Sequence, residues 1–494
     1  MFVKNDLVAD ETAIEQETET ERAGIEPTGP DDLLSLLSKF LESPGNVLLV
    51  RGPPGAGKTT LAFELLKKTK GPRIGRHMIP PNKVYVSSRV SPTKLRKHFP
   101  WINEVVDSMS GRVARQNWTE SSQDLLVTET DNILSKVVAA KRSKQRGLLV
   151  IDSWEGALRN TPESGRLALE SNILSEPGES MVGVILVSED GELGLAHLVD
   201  GIVTLSSSLL EGKRIRTISI NKLRGLRVQT HQALFSLDEG RFNILPQAEF
   251  LVPAASSPRI LAAIPDSEHS FSTGNSDLDK MLSGGIKKGS SLLIDIDNSV
   301  SPEAVRLLLN MFRANFVNQG GACFIIPLGT FSSESEAESL IPLVGNKSFG
   351  ERVRTGEYNQ ELPAAEWRVH LKGKLIEDLS QFDSSWKELG TISQSRMLTA
   401  DIDKVVQVYG EDLTLPGLSE IGASVRDSRA LSIGVASRPT KVREDFLRIA
   451  DYHLKLKSID GSLVMYGMKP STNIHGISFS FEKGLPLVKL TEVV

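Results

Sequence analysis

Gly52-Pro53-Pro54-Gly55-Ala56-Gly57-Lys58-Thr59-Thr60 stands between an apolar run, Asn46-Val47-Leu48-Leu49-Val50, and a helix-forming run, Leu61-Ala62-Phe63-Glu64-Leu65-Leu66. This is the pattern G-x-x-x-x-G-K-[ST] in the strand–loop–helix setting that gives it meaning. The glycines let the backbone turn its N–H groups inward, and these groups with the helix N-terminus make a polyphosphate site. Lys58 is spaced to reach the β- and γ-phosphates, and Thr59 to place its hydroxyl on Mg²⁺. Residues 52–60 are therefore the expected cradle for ATP and Mg²⁺.

Outward from this loop, apolar runs at Val47–Arg51, Val84–Ser87, Leu148–Asp152, Val182–Ser188 and Gly201–Leu205 alternate with helical stretches. The helical stretches are Asp31–Leu41, Thr59–Lys68, Pro92–His98, Gln123–Lys141 and Glu163–Leu174. Continuous apolar strands alternating with helices predict an α/β fold, a mainly parallel sheet covered on both faces. Arg214–Lys222 and Gln229–Leu237 alternate apolar with polar, as antiparallel strands closing the unit do. The run ending in Asp152 offers a second ligand for Mg²⁺ beside Thr59; the alternative is a carboxylate that caps the next turn.

The second half repeats the first. SLLIDIDNSVSPEAVRLLLN, from Ser291, lies without gaps over VLLVRGPPGAGKTTLAFELL, from Val47, and Leu447–Leu456 matches Leu195–Leu205 with Asp451 over Asp200. The alignment sets Pro302 over Lys58, Glu303 over Thr59 and Tyr409 over Asp152. Proline has neither ammonium nor N–H, and a carboxylate at Glu303 repels phosphate. The expected organisation is an acidic disordered tail at 1–30, a nucleotide-binding domain at 31–245, a Pro/Ala/Ser-rich linker at 246–270, and a degenerate structural or interaction copy at 271–494.

The 494 residues suffice for two or three cores. A net charge of −5 gives no global basic field toward nucleic acid or anionic lipid. Cys323 is the single cysteine, so there is no internal disulfide or cysteine zinc cluster, and the eight histidines lack ligand spacing. With no apolar stretch of roughly 18 residues and no signal-peptide run, the chain reads as cytosolic, without a membrane partner.

The strings GPPGAGKTTLA, VIDS, ILVSE, LVDGIVTL and INKLRG, in that order over roughly residues 31–245, resemble the KaiC branch of RecA-type ATPases. The resemblance implies a homo-oligomer, a ring of six, in which Lys222 and Arg224 of the K-x-R-G string reach the neighbouring subunit's γ-phosphate. It also places Ser188, at the end of a strand that usually carries a sensor group, among the nucleotide-binding residues. The family usually has two adjacent glutamates after the second strand, one of which polarises water; here Arg89 and Val90 occupy those positions in Val86-Ser87-Ser88-Arg89-Val90-Ser91-Pro92. Binding is then expected with weak or no hydrolysis, and Glu189 and Asp190 are the nearest substitute carboxylates. The intact loop, the altered glutamate string and the degenerate second half together resemble the GvpD family of archaeal gas-vesicle regulators. That resemblance implies a nucleotide-dependent regulator acting through a transcription regulator rather than on DNA. Two basic runs, Lys94-Leu95-Arg96-Lys97 and Lys141–Arg146, are partner-docking candidates or solvated helix ends. The competing readings are an active ATPase with a non-standard base and a recombinase-like DNA motor; no basic, aromatic-interleaved stretch supports the latter.

Overall fold

The computed structural model describes residues 31–69, 73–74, 77–78, 82–87, 90, 92–101, 126–127, 147–159, 163–174, 182–189, 194–247, 259–482 and 485–494. The expected acidic tail, both Lys141–Arg146 and most of Gln123–Lys141, Arg89 and Asp190 lie outside these residues. Leu126–Val127, expected inside a helix, is instead a two-residue parallel strand beside Tyr85 and Val86. Leu126 and Val127 fit a strand edge as readily as a helix turn, a common ambiguity of short apolar runs.

In the first half, β1 (Val47–Arg51), β2 (Asn82–Ser87), β3 (Leu126–Val127), β4 (Gly147–Asp152), β5 (Val182–Ser188) and β6 (Gly201–Leu210) run parallel. They continue into β7 (Lys213–Leu223), β8 (Gln232–Ser236) and β9 (Asn243–Ile244) through antiparallel pairings. The nine strands form one sheet in the order β9-β8-β7-β6-β1-β5-β4-β2-β3. β1 is apolar from Val47 to Val50 because both its faces are covered. Leu48 and Val50 join one core with α1 (Asp31–Glu42) and α2 (Lys58–Lys68). Val47 and Leu49 join the opposite core with Trp154 and Ala157 of α4 (Trp154–Arg159), which follows α3 (Pro92–His98), and with Ile173 of α5 (Glu163–Leu174).

The second half builds a ten-stranded sheet from β10 (Ser291–Ile296), β11 (Ala322–Ile326), β12 (Val353–Glu357), β13 (Arg368–His370), β14 (Arg396–Asp401), β15 (Leu431–Ala436), β16 (Tyr452–Ile459), β17 (Ser462–Lys469), β18 (His475–Glu482) and β19 (Leu485–Glu492). Its order is β13-β12-β11-β14-β15-β10-β16-β17-β18-β19. β10 sits between β15 and β16 as β1 sits between β5 and β6. Asp200 accepts the N–H of Val47 (3.1 Å) and Asp451 accepts that of Ser291 (2.9 Å), so the start of each central strand is held alike.

Strand register corrects the expected partner of Asp152. Asp152 lies opposite Val187, one residue before the Ser188 that faces Arg51; Asp401 lies opposite Val435, one residue before the Ala436 that faces Asp295. Asp401, at the end of β14, is therefore the counterpart of Asp152. Tyr409 lies a whole helix further on, at the end of α7 (Ile402–Tyr409), which follows α6 (Pro302–Asn318). Lys469 faces His453 as Lys222 faces Ile202, each beside a register shift, so the first lysine of the K-x-R-G string has a counterpart in the second half.

The antiparallel flanks of the two sheets pack on each other. Leu234, Leu245, Val464, Tyr466, Ile474 and Val493 make a core shared by both halves. Around it Glu211 takes Lys455 (2.8 Å) and Lys457 (3.1 Å), and Gln232 donates to Asp460 (3.0 Å). The described end of the expected linker, residues 259–270, lies along the second half: Leu261 N–H donates to Leu343 O (2.9 Å) and Ile264 N–H to Asn315 Oδ1 (2.7 Å).

Candidate functional site

A cavity of about 400 Å³ opens at the C-terminal ends of β1, β2 and β4. The loop after β1 forms its floor because glycine is required there. Gly52 has φ 153°, and a Cβ on it would come 2.3 Å from Leu205 O; Gly57 has φ 95°, and its Cβ would come 2.8 Å from Leu237. α2 then starts directly, Leu61 N–H closing on Gly57 O at 2.9 Å, with no side chain capping its N-terminus. Uncapped N–H groups at a helix start favour an anion.

Lys58 is buried, and its Nζ bridges Gly52 O (2.6 Å) and Pro53 O (2.9 Å). Thr59 Oγ1 donates to Asp152 Oδ2 at 2.6 Å. Thus the loop threonine and the strand-end carboxylate, 93 residues apart, are one unit, as the sequence pattern required. Tyr85 on β2 also donates to Asp152 Oδ2 (2.6 Å). Burial, then the adjacent Asp152 charge, holds the Tyr85 hydroxyl well above its ordinary pKa, so it stays a donor. Tyr85 escaped the sequence reading; its only trace there is a polar-tipped aromatic in an apolar strand.

The glutamate positions are apolar where described. Val90 lines the cavity, packs on the core with α1 and α2, and donates its N–H to Ser87 Oγ (3.0 Å). Glu189 lines the same cavity. Ser188 does not: it is fully buried and donates to Glu155 Oε1 (2.5 Å), which also accepts the Glu189 N–H (3.0 Å). Glu155, three residues past Asp152, went unnoticed in the sequence because its partners lie on another strand.

Lys222 and Arg224 lie at the opposite end of the central strands from the cavity. Arg224 N–H donates to Asp200 O, beside the start of β1, and β1 spans about 17 Å from there to the phosphate loop. Neither side chain can reach the loop of its own chain. Lys222 Nζ donates to Val199 O (2.5 Å) and Ala196 O (3.2 Å), and Lys469 makes the corresponding bond to Ala450 O (2.6 Å). The Arg224 side chain is 60% exposed, with one contact to Asp200 at 3.3 Å.

The equivalent corner of the second half is a cavity of about 450 Å³ lined by Asp297, Asp401, Asp403, Lys404 and Arg438 among others. Ser301 caps α6 through the Ala304 N–H (3.2 Å), Pro302 fills its first turn and Glu303 adds a negative charge. Asp401 accepts the N–H groups of Gly329 (2.6 Å) and Lys404 (3.1 Å), and burial pushes its carboxyl pKa up.

A glycine-shaped loop, an uncapped helix start and a threonine–aspartate pair over one cavity give the G-x-x-x-x-G-K-[ST] segment its strand–loop–helix setting on a mainly parallel α/β sheet. Residues 40–249 match the family model described as ATPase: KaiC, and the first half of the chain carries a KaiC-like ATPase domain. As a whole the chain is similar to protein GvpD2 of Halobacterium salinarum, 26% identical over 482 residues covering 92% of this chain and 95% of that protein. GvpD1 of the same organism is 22% identical with the same coverage. The circadian clock oscillator protein KaiC 1 of Synechocystis is 24% identical over 50% of this chain and 48% of its own length. Among the described residues no helix is long and apolar enough to cross a membrane.

Proposed function

We propose that the chain is a nucleotide-dependent regulator that binds ATP with Mg²⁺ in residues 31–245, hydrolyses it weakly or not at all, and acts through a protein partner. The observation that carries this is Lys58 and the Thr59–Asp152 pair facing one cavity at an uncapped helix start. Lys58 and the loop N–H groups would hold the phosphates, while Thr59 and Asp152 would hold Mg²⁺, which when bound neutralises phosphate charge. Residues 271–494 are the second copy, and the capped, acidic start of α6 fits an interaction role rather than phosphate binding. The near-full-length similarity to GvpD2 and GvpD1 supports a regulator over a DNA motor.

Arg224, exposed at the far end of the central strands, is the cation to reach a neighbour's nucleotide, whereas Lys222 is taken up by carbonyls of its own chain. Head-to-tail contacts of this kind close into rings, so ATP is expected to shift the chain toward a homo-oligomer, six subunits by family likeness. Native mass measurement with and without saturating Mg-ATP checks this. Arg224→Glu is expected to abolish the shift while leaving Lys58-dependent binding intact; identical masses with and without ATP in the wild type would remove the trans contact.

A second reading, an active ATPase, is favoured by one observation: Glu189 is a carboxylate on the cavity wall.

A further inference from the structure

Arg216 on β7 is 6% exposed, and its guanidinium joins the two halves at the phosphate loop. Nη1 donates to Gly55 O at 3.0 Å, and Nε donates to the main-chain oxygen of Val494, just beyond β19. Gly55 has φ 74°, and nothing lies within 4 Å of where its Cβ would be, so between Pro54 and the buried Ala56 this peptide is held by hydrogen bonding rather than by packing of its own. A carbonyl turned into the cavity there would repel phosphate oxygens, and the bond to Arg216 fixes the direction in which this one points.

A second support comes from the neighbouring strand, β8. Ser236 donates its hydroxyl to Glu492 O and accepts the Asp238 N–H (3.0 Å). Between them Leu237 presses on Gly57 and lines the cavity. The end of β19 is itself fixed: Val493 N–H donates to Ile474 O (2.8 Å), and its side chain is buried in the shared core.

We propose that Arg216 is a positioning residue for the phosphate loop, aimed by Val494, so that the docked second half sets the nucleotide affinity of the first. The affinity half of this statement rests on the ATP-binding reading above; the loop-positioning half does not. The second half then acts on the site without binding nucleotide, and by linkage nucleotide binding tightens the contact between the halves.

The full-length chain is tested by calorimetry with Mg-ATP and by amide exchange of Gly55–Thr60 without nucleotide. Arg216→Met is expected to weaken Mg-ATP binding about tenfold, with Arg216→Lys recovering part of the loss. Loop exchange in Arg216→Met should rise several-fold, while Arg214→Met, at an exposed position on the same strand, leaves both readouts at wild-type values. A chain cut after Val493, which removes Val494 alone, should lose affinity to a similar extent, and the cut should add nothing to Arg216→Met. Wild-type affinity and wild-type loop exchange in Arg216→Met would overturn the inference, as would additive losses from the cut and the substitution. If Arg216→Met does not fold, Arg216→Lys and the cut chain give the same comparison. A wild type that binds no Mg-ATP, yet whose loop exchange responds to Arg216→Met, would sink the ATP reading and leave the positioning role standing.

Discussion

Phosphate release from Mg-ATP is expected to stay below about 1 s⁻¹ at saturation, under the usual enzyme range. Val90 offers only an apolar side chain to the cavity, and its backbone is tied to Ser87. A positioned general base contributes roughly 10²–10⁴-fold, and Val90 cannot supply it. Val90→Glu is therefore expected to raise turnover toward the ordinary range, since the new carboxylate would stand on the wall facing Lys58 and Thr59. An unchanged rate in this variant would mean that β2 does not carry the base position. A wild-type rate above 1 s⁻¹ that collapses in Glu189→Gln would transfer the role of base to Glu189 and favour the ATPase reading.

Lys58→Ala is expected to weaken Mg-ATP binding by about 10- to 150-fold, the worth of a charge-assisted contact of about 1.5–3 kcal/mol. Nζ bridges two loop carbonyls, contacts that bound phosphate oxygens would replace. The same substitution should leave the melting temperature without nucleotide within a few degrees of wild type, because the bonds removed join Nζ only to carbonyls of its own loop. Calorimetry and thermal scans check both, and a large loss of stability would mean that the lysine serves the fold rather than the ligand.

The phosphate loop, its flanking β1 and α2, and the Asp152 partner were legible in the sequence because each depends on local pattern: glycine placement, a continuous apolar strand, a helix period. The Asp200–Asp451 correspondence was legible too, since the flanking strings are similar and both carboxylates hold the same backbone position. The residues missed act across distance. Tyr85 meets Asp152 over 67 positions, Glu155 meets Ser188 over 33, and Arg216 meets Gly55 over 161. The Tyr409 assignment failed for a related reason. Between β10 and β14 the second half has its own helices and strand lengths, so spacing alone could not find the strand end that register assigns to Asp401. Lys222 shows a different limit: its family role is written in a short string, but its contacts to Val199 and Ala196 belong to how this chain folds.

The central claim is that nucleotide binds in the first half only. Titration of Mg-ATP into the full-length chain by isothermal calorimetry tests it most directly, run beside Lys58→Ala. The expected result is one site per chain, weakened by the substitution by 10-fold or more. Two equivalent sites per chain, or binding that Lys58→Ala leaves untouched, would contradict it.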